Sequence, residues 1–179
     1  MKTLTQSLRI YIVLTLLTGI VYPAVMTAIA QLIFPLQANG SRVMQNGKLI
    51  GSNLLAQKFE LPRYFWARPS GGDFATLPSG ASNKGPTSAD LKKAIGERRA
   101  KFGDNVAVDL LTASGSGLDP HISPEAARAQ IPRVAAARNM SIEKLTALVD
   151  KSIEPPQLGL LGEPRINVLR LNLALDQLH

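Results

Sequence analysis

Cysteine is absent from the 179 residues of this sequence. Its absence excludes a disulfide framework, a thiolate metal site and a cysteine nucleophile, and with them the lipid-attachment cysteine of a bacterial lipoprotein. Histidine is scarce as well, since only His121 and His179 occur. Neither lies in an H-E-x-x-H arrangement, so a zinc site would have to rely on carboxylates. We therefore predict no metal site and no cofactor bound by this chain alone.

Charge is missing from one long stretch near the N-terminus. No Asp, Glu, Lys, Arg or His lies between Arg9 and Arg42, and thirteen of the 25 residues from Ile10 to Phe34 are Leu, Ile, Val or Phe. A helix of that length spans about 38 Å, which is enough to cross a hydrocarbon core of about 30 Å. These side chains contribute roughly −4 to −8 kcal/mol to membrane insertion. The sequence therefore predicts a transmembrane helix at residues 10–34.

The flanks of this segment predict its orientation. Lys2 and Arg9 make the short N-terminal tail basic, and basic tails stay in the cytoplasm, whereas long C-terminal domains are translocated largely regardless of charge. We therefore expect a cytoplasmic tail at residues 1–9 and an extracytoplasmic soluble domain at residues 35–179.

A cleaved signal peptide is the alternative interpretation of the same segment. Ala28-Ile29-Ala30 resembles a cleavage site, although the apolar run exceeds the usual 7–15 residues of a signal peptide. On this alternative the protein is secreted and binds a small ligand through its aromatic loop.

Small or compact side chains recur every four residues within the apolar segment. They are Thr15, Gly19, Pro23 and Thr27. Such a stripe lets another helix approach closely in lipid, where packing drives association. We predict that these four residues contact a partner helix, although Gly, Pro and Thr are also common in membrane helices without partners.

The rest of the chain predicts one α+β domain, in the form of a mixed or α/β-sandwich arrangement. Asn46-Gly47 predicts a hairpin turn between short strands within residues 41–51. Residues 61–82, rich in Pro, Gly and aromatics, predict an ordered loop. Helices are expected from about Ser88 to Phe102, with Leu91, Ile95 and Phe102 on one side, from Ser123 to about Arg138, and from Ser141 to before Pro155. Alternating apolar residues predict strands at 106–110 and 165–175.

Three glycine-containing or acidic segments fail the tests for known chemistry. Gly115-Ser116-Gly117 lacks the flanking glycines of a nucleophile elbow or a dinucleotide loop. Gly80 to Thr87 has the spacing of a phosphate-binding loop, but Pro86 occupies the lysine position. Asp119-Pro120-His121 is interpreted as a turn rather than an acid–base pair. No nucleophile–base pair supports an external hydrolase, so we expect no catalytic residue.

Positive charge and one arginine invite binding hypotheses. The net charge is +7, of which about +5 follows the apolar segment, but Lys and Arg are scattered, so we predict no nucleic-acid binding. A positively charged domain does not attract cations, unless acids such as Asp73 or Asp119 make the potential negative locally. Arg68, near Tyr64-Phe65-Trp66, is interpreted as a stacked structural arginine rather than a ligand clamp.

Ten short motifs, spread in order over the whole chain, carry a resemblance to a known family. They are Val21-Tyr22-Pro23-Ala24, Phe34-Pro35, Gln37-Ala38-Asn39-Gly40-Ser41, Tyr64-Phe65-Trp66-Ala67-Arg68-Pro69-Ser70, Ser82-Asn83, Thr112-Ala113-Ser114-Gly115-Ser116-Gly117-Leu118-Asp119-Pro120, Ile131-Pro132-Arg133-Val134-Ala135, Ala137-Arg138-Asn139, Asn167-Val168-Leu169 and Leu171-Asn172-Leu173-Ala174-Leu175-Asp176.

The sequence thereby resembles the small C subunit of the Kdp-type potassium-transporting ATPases. The resemblance implies a single-pass protein of the bacterial inner membrane with a periplasmic domain. Its implied partners are membrane lipid, a channel-like potassium-translocating subunit and a P-type ATPase subunit, which handle ATP and potassium in the complex. It further implies a role in assembly and as a catalytic chaperone that raises the ATP affinity of the ATPase subunit.

The resemblance also indicates structural or subunit-contact residues. We expect such roles for Asn39, Gly40, Ser41, Arg68, Pro69, Ser70, Ser82, Asn83, Ser114, Ser116 and Asp119.

Overall fold

The computed structural model describes residues 2–103 and 106–178. The chain divides into two compact units, Met1–Ile50 and Gly51–His179. In chain order the elements are α1 (Lys2–Leu16), a π turn (Leu17–Val21), α2 (Tyr22–Ile33), α3 (Pro35–Ala38), β1 (Arg42–Gln45), β2 (Lys48–Ser52), α4 (Ala89–Phe102), α5 (Val108–Leu111), β3 (His121–Ile122), α6 (Pro124–Arg138), α7 (Ile142–Lys151), β4 (Ile166–Asn167) and α8 (Val168–Asp176).

The first unit is dominated by one helix that runs from Lys2 to Ile33. It has 32 residues, a mean hydropathy of 2.1 in its most apolar part and no buried residue there, so it is long and apolar enough to cross a membrane. Helical structure thus begins before the predicted span and includes the basic residues Lys2 and Arg9. Met1 lies outside the described residues.

The π turn in this helix has an identifiable cause. Pro23 has no backbone N–H, and its ring would clash with the carbonyl of Gly19 in a regular α-helix. The chain widens just before it: the N–H of Tyr22 bonds to the carbonyl of Leu17, five residues back. The interruption is therefore attributable to one proline.

The π turn also changes the stripe of small residues. An α-helix turns about 100° per residue, so a spacing of four would place Thr15 and Thr27 about 120° apart. A π turn rotates less per residue. The segment Leu17–Val21 therefore partly corrects this drift and keeps the four positions closer to one face. Their contact with a partner helix stays a prediction.

The hairpin prediction is confirmed. Strands β1 and β2 pair in a two-stranded sheet. Asn46 and Gly47 both have positive φ, 51° and 76°, as a type I′ turn requires at its two central positions.

The core of the second unit lies between three helices and one loop. Helix α6 packs on α7, α8 packs on α7, and Phe65 from the loop before α4 joins them in one buried cluster. Val134, Leu145, Val149 and Leu171 are fully buried there. The mixed class of fold is confirmed. The described sheets are two separate pairs, β1–β2 and β3–β4, which are too small to form one layer of a sandwich.

The three predicted helices of this unit begin where their caps predict. The hydroxyls of Ser88, Ser123 and Ser141 accept N–H bonds from Leu91, Ala126 and Lys144, respectively. Each bond satisfies a donor that the first turn of a helix leaves without a partner. The half-buried side of α4 is also as predicted, and Leu91, Ile95 and Phe102 lie on it.

The predicted strand at 165–175 is wrong beyond its first residues. Only Ile166 and Asn167 are strand, pairing antiparallel with Ile122 and His121, and the rest is helix α8. The buried positions Val168, Leu171, Asn172 and Leu175 follow helical spacing. Leucine favours helix more than β-branched residues do, and this spacing prevails over the alternation of leucines.

The predicted strand at 106–110 is also wrong. Residues 108–111 form the short helix α5, which buries the adjacent Leu110 and Leu111 and leaves Val108 exposed. Asp109 accounts for the helical conformation of this segment. Its carboxylate accepts hydrogen bonds from the backbone N–H of Ser123, at 2.7 Å, and from the hydroxyl of Ser123. The two residues before Val106 lie outside the described part of the chain.

The loop at 61–82 is confirmed as a loop, and side-chain amides hold it in place. Asn172 of α8 accepts from the N–H of Phe65 and donates to its carbonyl, both at 2.9 Å. Gln130 of α6 does the same for Trp66, at 2.8 and 3.2 Å. The two amides thus replace the neighbouring strand that this extended backbone lacks.

Replacing Asn172 with leucine should destabilise the protein strongly. The change leaves the buried N–H and carbonyl of Phe65 without partners, and we expect a loss of about 2–4 kcal/mol in the free energy of unfolding. Trp66, the single tryptophan, reports the transition by fluorescence during urea unfolding of the detergent-solubilised protein. Gln177→Leu, at an exposed amide near the end of the same helix, is the matched control. An unchanged midpoint for Asn172→Leu would contradict the proposed role of this amide.

Candidate functional site

Most of the motif residues of the second unit meet where three loops pack together. These loops are residues 69–72, 80–83 and 114–118, and we call them the three-loop junction. The N–H of Ser114 donates to the carbonyl of Pro69 at 3.0 Å, and Ser114 is buried. The N–H of Ala56 donates to the carbonyl of Leu118 at 2.9 Å. The junction therefore joins segments that are distant in sequence.

Two glycines make the close approach possible. A Cβ on Gly117 would lie 2.7 Å from the carbonyl oxygen of Gly80, and one on Gly71 would lie 2.8 Å from the backbone nitrogen of Ser82. Gly117 also has a φ of 71°, which side chains other than glycine rarely adopt. Any larger residue at either position would separate the loops.

The serine hydroxyls of the junction are used to shape its own backbone. Ser70 accepts from the N–H groups of Gly72 and Phe74, and Ser116 accepts from the N–H of Leu118 at 3.1 Å. The hydroxyls of Ser114 and Ser116 lie 3.5 Å apart. These are the local turn bonds that serine offers a loop. Asn83 contributes through its left-handed backbone, with a φ of 53°.

A cavity of about 230 Å³ opens beside the junction. Ser70 and Ser82 line it, together with Lys84, which precedes α4, and Arg98, which belongs to α4. Lys84 pairs with Asp90 at 3.3 Å, and Arg98 donates to the carbonyl of Leu111 at 2.7 Å. Burial lowers the pKa of Arg98 below its usual value. Both cations thus have partners that tie α4 to its neighbours.

Arg68 and Asp119 form an ion pair beside the junction. Nη1 of Arg68 lies 3.0 Å from Oδ2 of Asp119, and both side chains are largely shielded from solvent. The other carboxylate oxygen of Asp119 accepts from the backbone N–H of His121 at 3.0 Å. The Nε of Arg68 is buried without a bonding partner. Arg68 thus has a carboxylate of its own domain as a partner, and its structural role stays a prediction.

The stacked arginine of the aromatic loop is a different residue. The guanidinium carbon of Arg133 lies 3.6 Å from the centre of the Trp66 ring, and the ammonium of Lys101 lies 4.0 Å from it. Arg133 also donates to the carbonyl of Tyr64 and to Gln130. Burial lowers its pKa to about 10, so it remains charged at neutral pH. The expectation that Arg68 stacks is therefore wrong, and Arg133 takes that position.

Arg138 completes the attachment of this loop. It donates to the carbonyl of Arg63 at 2.7 Å and to a carboxylate oxygen of Asp176, whose second oxygen accepts from the hydroxyl of Tyr64. Gln130, Arg133, Arg138 and Asn172 were not among the predicted site residues, although the last three lie within the family motifs. One signal was present for two of them: Gln130 and Asn172 are amides among apolar helix positions, where burial demands hydrogen-bonding partners.

The motif residues of the first unit form a separate turn at the end of α3. The side chain of Asn39 donates to the carbonyl of Pro35 and to the side chain of Gln31. The N–H of Gly40 bonds to Gln37, and that of Ser41 bonds to Leu36. Gly40 and Ser41 both have positive φ. These bonds satisfy carbonyls that the end of a helix leaves free.

A second cavity, of about 690 Å³, lies at the Arg68–Asp119 pair and holds both signs of charge. Its lining includes His121, Glu125, Glu163 and Arg165. Within residues 2–103 and 106–178, no three His, Asp or Glu side chains are arranged to hold a metal ion. His179, the other histidine, lies beyond that range.

Stability should fall as the pH is lowered through the range of an ordinary histidine. Burial, followed by the charge of Arg165, lowers the pKa of His121 below 6.5. The unfolded chain therefore takes up a proton at a higher pH than the folded one, and this contribution to stability is complete above about pH 7 and is lost below it. Urea midpoints between pH 5 and 8 should fall less steeply for His121→Gln than for the unchanged protein. Parallel curves would refute this origin.

Comparison with known proteins gives matches over nearly the whole chain. A family model described as the c chain of K+-transporting ATPase, KdpC, matches residues 4–177. The potassium-transporting ATPase KdpC subunit of Geotalea uraniireducens is 51% identical over 187 aligned residues, covering 99% of both chains. That of Geobacter sulfurreducens is also 51% identical with the same coverage. That of Rhodospirillum rubrum is 49% identical, covering 99% of this chain and 96% of its own.

The motifs of the three-loop junction, the turn at Asn39 and all but the first two residues of the apolar N-terminal helix lie within the matched residues. Both the family model and these relatives extend over nearly the whole chain. The chain therefore belongs to the KdpC family, the C subunits of potassium-transporting ATPases.

Proposed function

We propose that this chain is a non-catalytic subunit that holds a potassium-importing ATPase complex together in the bacterial inner membrane. One observation carries the proposal. This member of the family has an apolar helix of 32 residues, and no residue in the most apolar part of that helix is buried by its own chain. A helix so exposed has its surface available to lipid and to other membrane helices. The partners would be a channel-like potassium-translocating subunit and a P-type ATPase subunit.

The arrangement of the second unit supports a structural role. The hydroxyls of Ser70 and Ser116 form bonds within their own loops, and the half-buried carboxylate of Asp119 is paired with Arg68. A nucleophile needs a neighbouring base that is free to accept its proton. The serines of the three-loop junction have each other and backbone N–H groups as neighbours instead. ATP and potassium would accordingly be handled by the other subunits.

A chaperone effect on ATP affinity would have to be indirect. The domain is proposed to be periplasmic and ATP is cytoplasmic, so only the N-terminal tail would lie on the nucleotide side. A contact between the small-residue stripe and a partner helix would transmit the effect. A coupling of about 1–3 kcal/mol corresponds to a change of roughly 5- to 150-fold in affinity.

The rival function is a secreted ligand-binding protein that is cleaved after Ala30. The family match begins at residue 4 and so includes the apolar segment, which favours the subunit. Purification from native membranes in mild detergent, followed by mass spectrometry, separates the two. Recovery with a P-type ATPase subunit and an intact N-terminus would support the proposal. Recovery alone, beginning at Gln31, would refute it.

The proposed orientation predicts which residues can be labelled from outside the cell. Because the chain has no cysteine, a cysteine introduced at Leu77, which is 91% exposed, is unique within it. A membrane-impermeant maleimide should label Leu77→Cys in intact spheroplasts. Ser7→Cys, in the tail proposed to be cytoplasmic, is the matched control and should react only after lysis. The reverse pattern would refute the orientation.

Enlarging the small-residue stripe should weaken the complex. Apart from the backbone of its own helix and its chain neighbours, nothing in residues 2–103 and 106–178 lies within 4 Å of a Cβ placed on Gly19, so Gly19→Leu should leave the helix undisturbed while it blocks a close helix partner. We expect a roughly tenfold loss of co-purified ATPase subunit and a raised KM for ATP in what remains. Ala28→Leu adds similar volume about 100° away from Thr27 and should change neither quantity. Equal effects of both variants would show that the stripe has no special role.

A further inference from the structure

Three exposed leucines lie on a rigid turn that none of the roles above uses. The turn, residues 157–161, is called here the leucine turn. Two pairs of backbone hydrogen bonds hold its ends together. Gln157 and Leu161 form two hydrogen bonds of 2.9 Å with each other, and Glu154 and Arg165, just outside the turn, form two of 2.8 and 3.0 Å. Leu158 and Gly159 at the tip have positive φ, 54° and 74°.

Two of these leucines, Leu158 and Leu160, are among the most exposed apolar residues of the second unit. Leu158, Leu160 and Leu161 are 91%, 87% and 61% exposed. Scattered single apolar residues on a surface need no explanation, but a group of them marks a contact with another apolar surface. Because the backbone bonds fix the shape of the turn in advance, little conformational freedom remains to be lost on binding.

The chemistry of the turn argues against a lipid surface. Between Ser152 and Pro164 the chain carries Glu154 and Glu163 and contains no Lys, Arg, Trp or Tyr. Segments that attach to anionic membranes carry basic residues, and those at the membrane interface are enriched in Trp and Tyr. In a chain with a net charge of +7, this acidic and aliphatic segment has the wrong composition for a bilayer.

A second copy of the chain is also a poor occupant. Three leucines on one turn form a small fraction of the area that a stable dimer buries. A small anchor is sufficient where other contacts, such as a membrane helix, already hold the partners at a high effective concentration.

The charges of the turn define the partner further. Glu154 is neutralised by Arg165 and Arg170, whereas Glu163 forms no ion pair within the described part of the chain.

We propose that the leucine turn inserts into an apolar cleft with a basic rim on another protein subunit of the potassium-transporting complex. This inference rests on the proposed function, because it requires the chain to be assembled with other subunits. The leucines fill the cleft, and Glu163 pairs with a cation at its rim. The turn is then a second attachment point, independent of the small-residue stripe.

Photo-cross-linking in the purified complex tests this directly. A cysteine at Leu160, unique in the chain, is coupled to a benzophenone maleimide and irradiated within the assembled complex. Leu77→Cys is the matched control, because Leu77 is a single leucine with 91% exposure in another loop. We expect a protein adduct from position 160 and at least tenfold less from position 77.

Each alternative outcome contradicts the proposal in a recognisable way. An adduct from position 160 only with lipid, or one with twice the mass of this chain, refutes a cleft on another subunit. The same holds for equal yields from both positions. Failure to recover any complex with the unchanged chain refutes the proposed function itself, so the two failures are distinguishable.

Substitution of the leucines supplies a second readout. The triple variant L158S/L160S/L161S should raise roughly tenfold the fraction of this chain washed off the immobilised complex, since the apolar contact is lost while the anchor remains. L77S should not change that fraction, and E163Q should change it only at low salt, where a charge at the rim counts most. Equal wash-off for the triple variant and the unchanged chain would overturn the proposal.

Discussion

The fold of the second unit depends on two side-chain amides, which form the hydrogen bonds that a neighbouring strand would otherwise provide. Asn172 and Gln130 each bond both backbone groups of one residue in the loop, Phe65 and Trp66. Without these bonds the Phe65 ring could not be fully buried, because its own N–H and carbonyl would enter the core unsatisfied. Everything further along the loop then follows: Arg68 reaches Asp119, and Pro69 meets Ser114. A few polar atoms inside an apolar core thus position the three-loop junction.

Local chemistry predicts the regular elements well and the long-range contacts poorly. Serine caps, the Asn46-Gly47 turn and the apolar segment act within a few residues of themselves, so their structural outcome can be derived from the sequence. The segment from Val168 to Asp176 carries two conflicting signals, alternate leucines and a helical period that includes Asn172. Burial against α7 decides between them. That contact joins residues far apart in sequence, where periodicity gives no information.

The same limit explains which site residues could be predicted. Motif residues such as Ser114, Asp119 and Arg68 were identified through a family resemblance, yet the stacking partner of Trp66 proved to be Arg133, which lies 67 residues downstream in helix α6. Arg68 is two residues from Trp66, a spacing that places both side chains on the same side of an extended chain, yet its guanidinium pairs with Asp119 at 3.0 Å instead of stacking on the ring. Helix α6, by contrast, presents Gln130 and Arg133 to the loop from one face, three residues apart.

The distribution of charge argues against a role for this subunit as an electrostatic funnel for potassium ions. The chain is basic overall, and the two acids suggested as local attractors are both paired: Asp73 with Lys58 at 2.8 Å and Asp119 with Arg68 at 3.0 Å. A paired carboxylate projects little field beyond its partner, and salt screens what remains within about 8 Å. Concentrating cations requires unpaired acids around an opening, and neither Asp73 nor Asp119 is unpaired. The two pairs instead link Lys58 to Asp73 and Arg68 to Asp119 within the second unit, which agrees with the structural role proposed above.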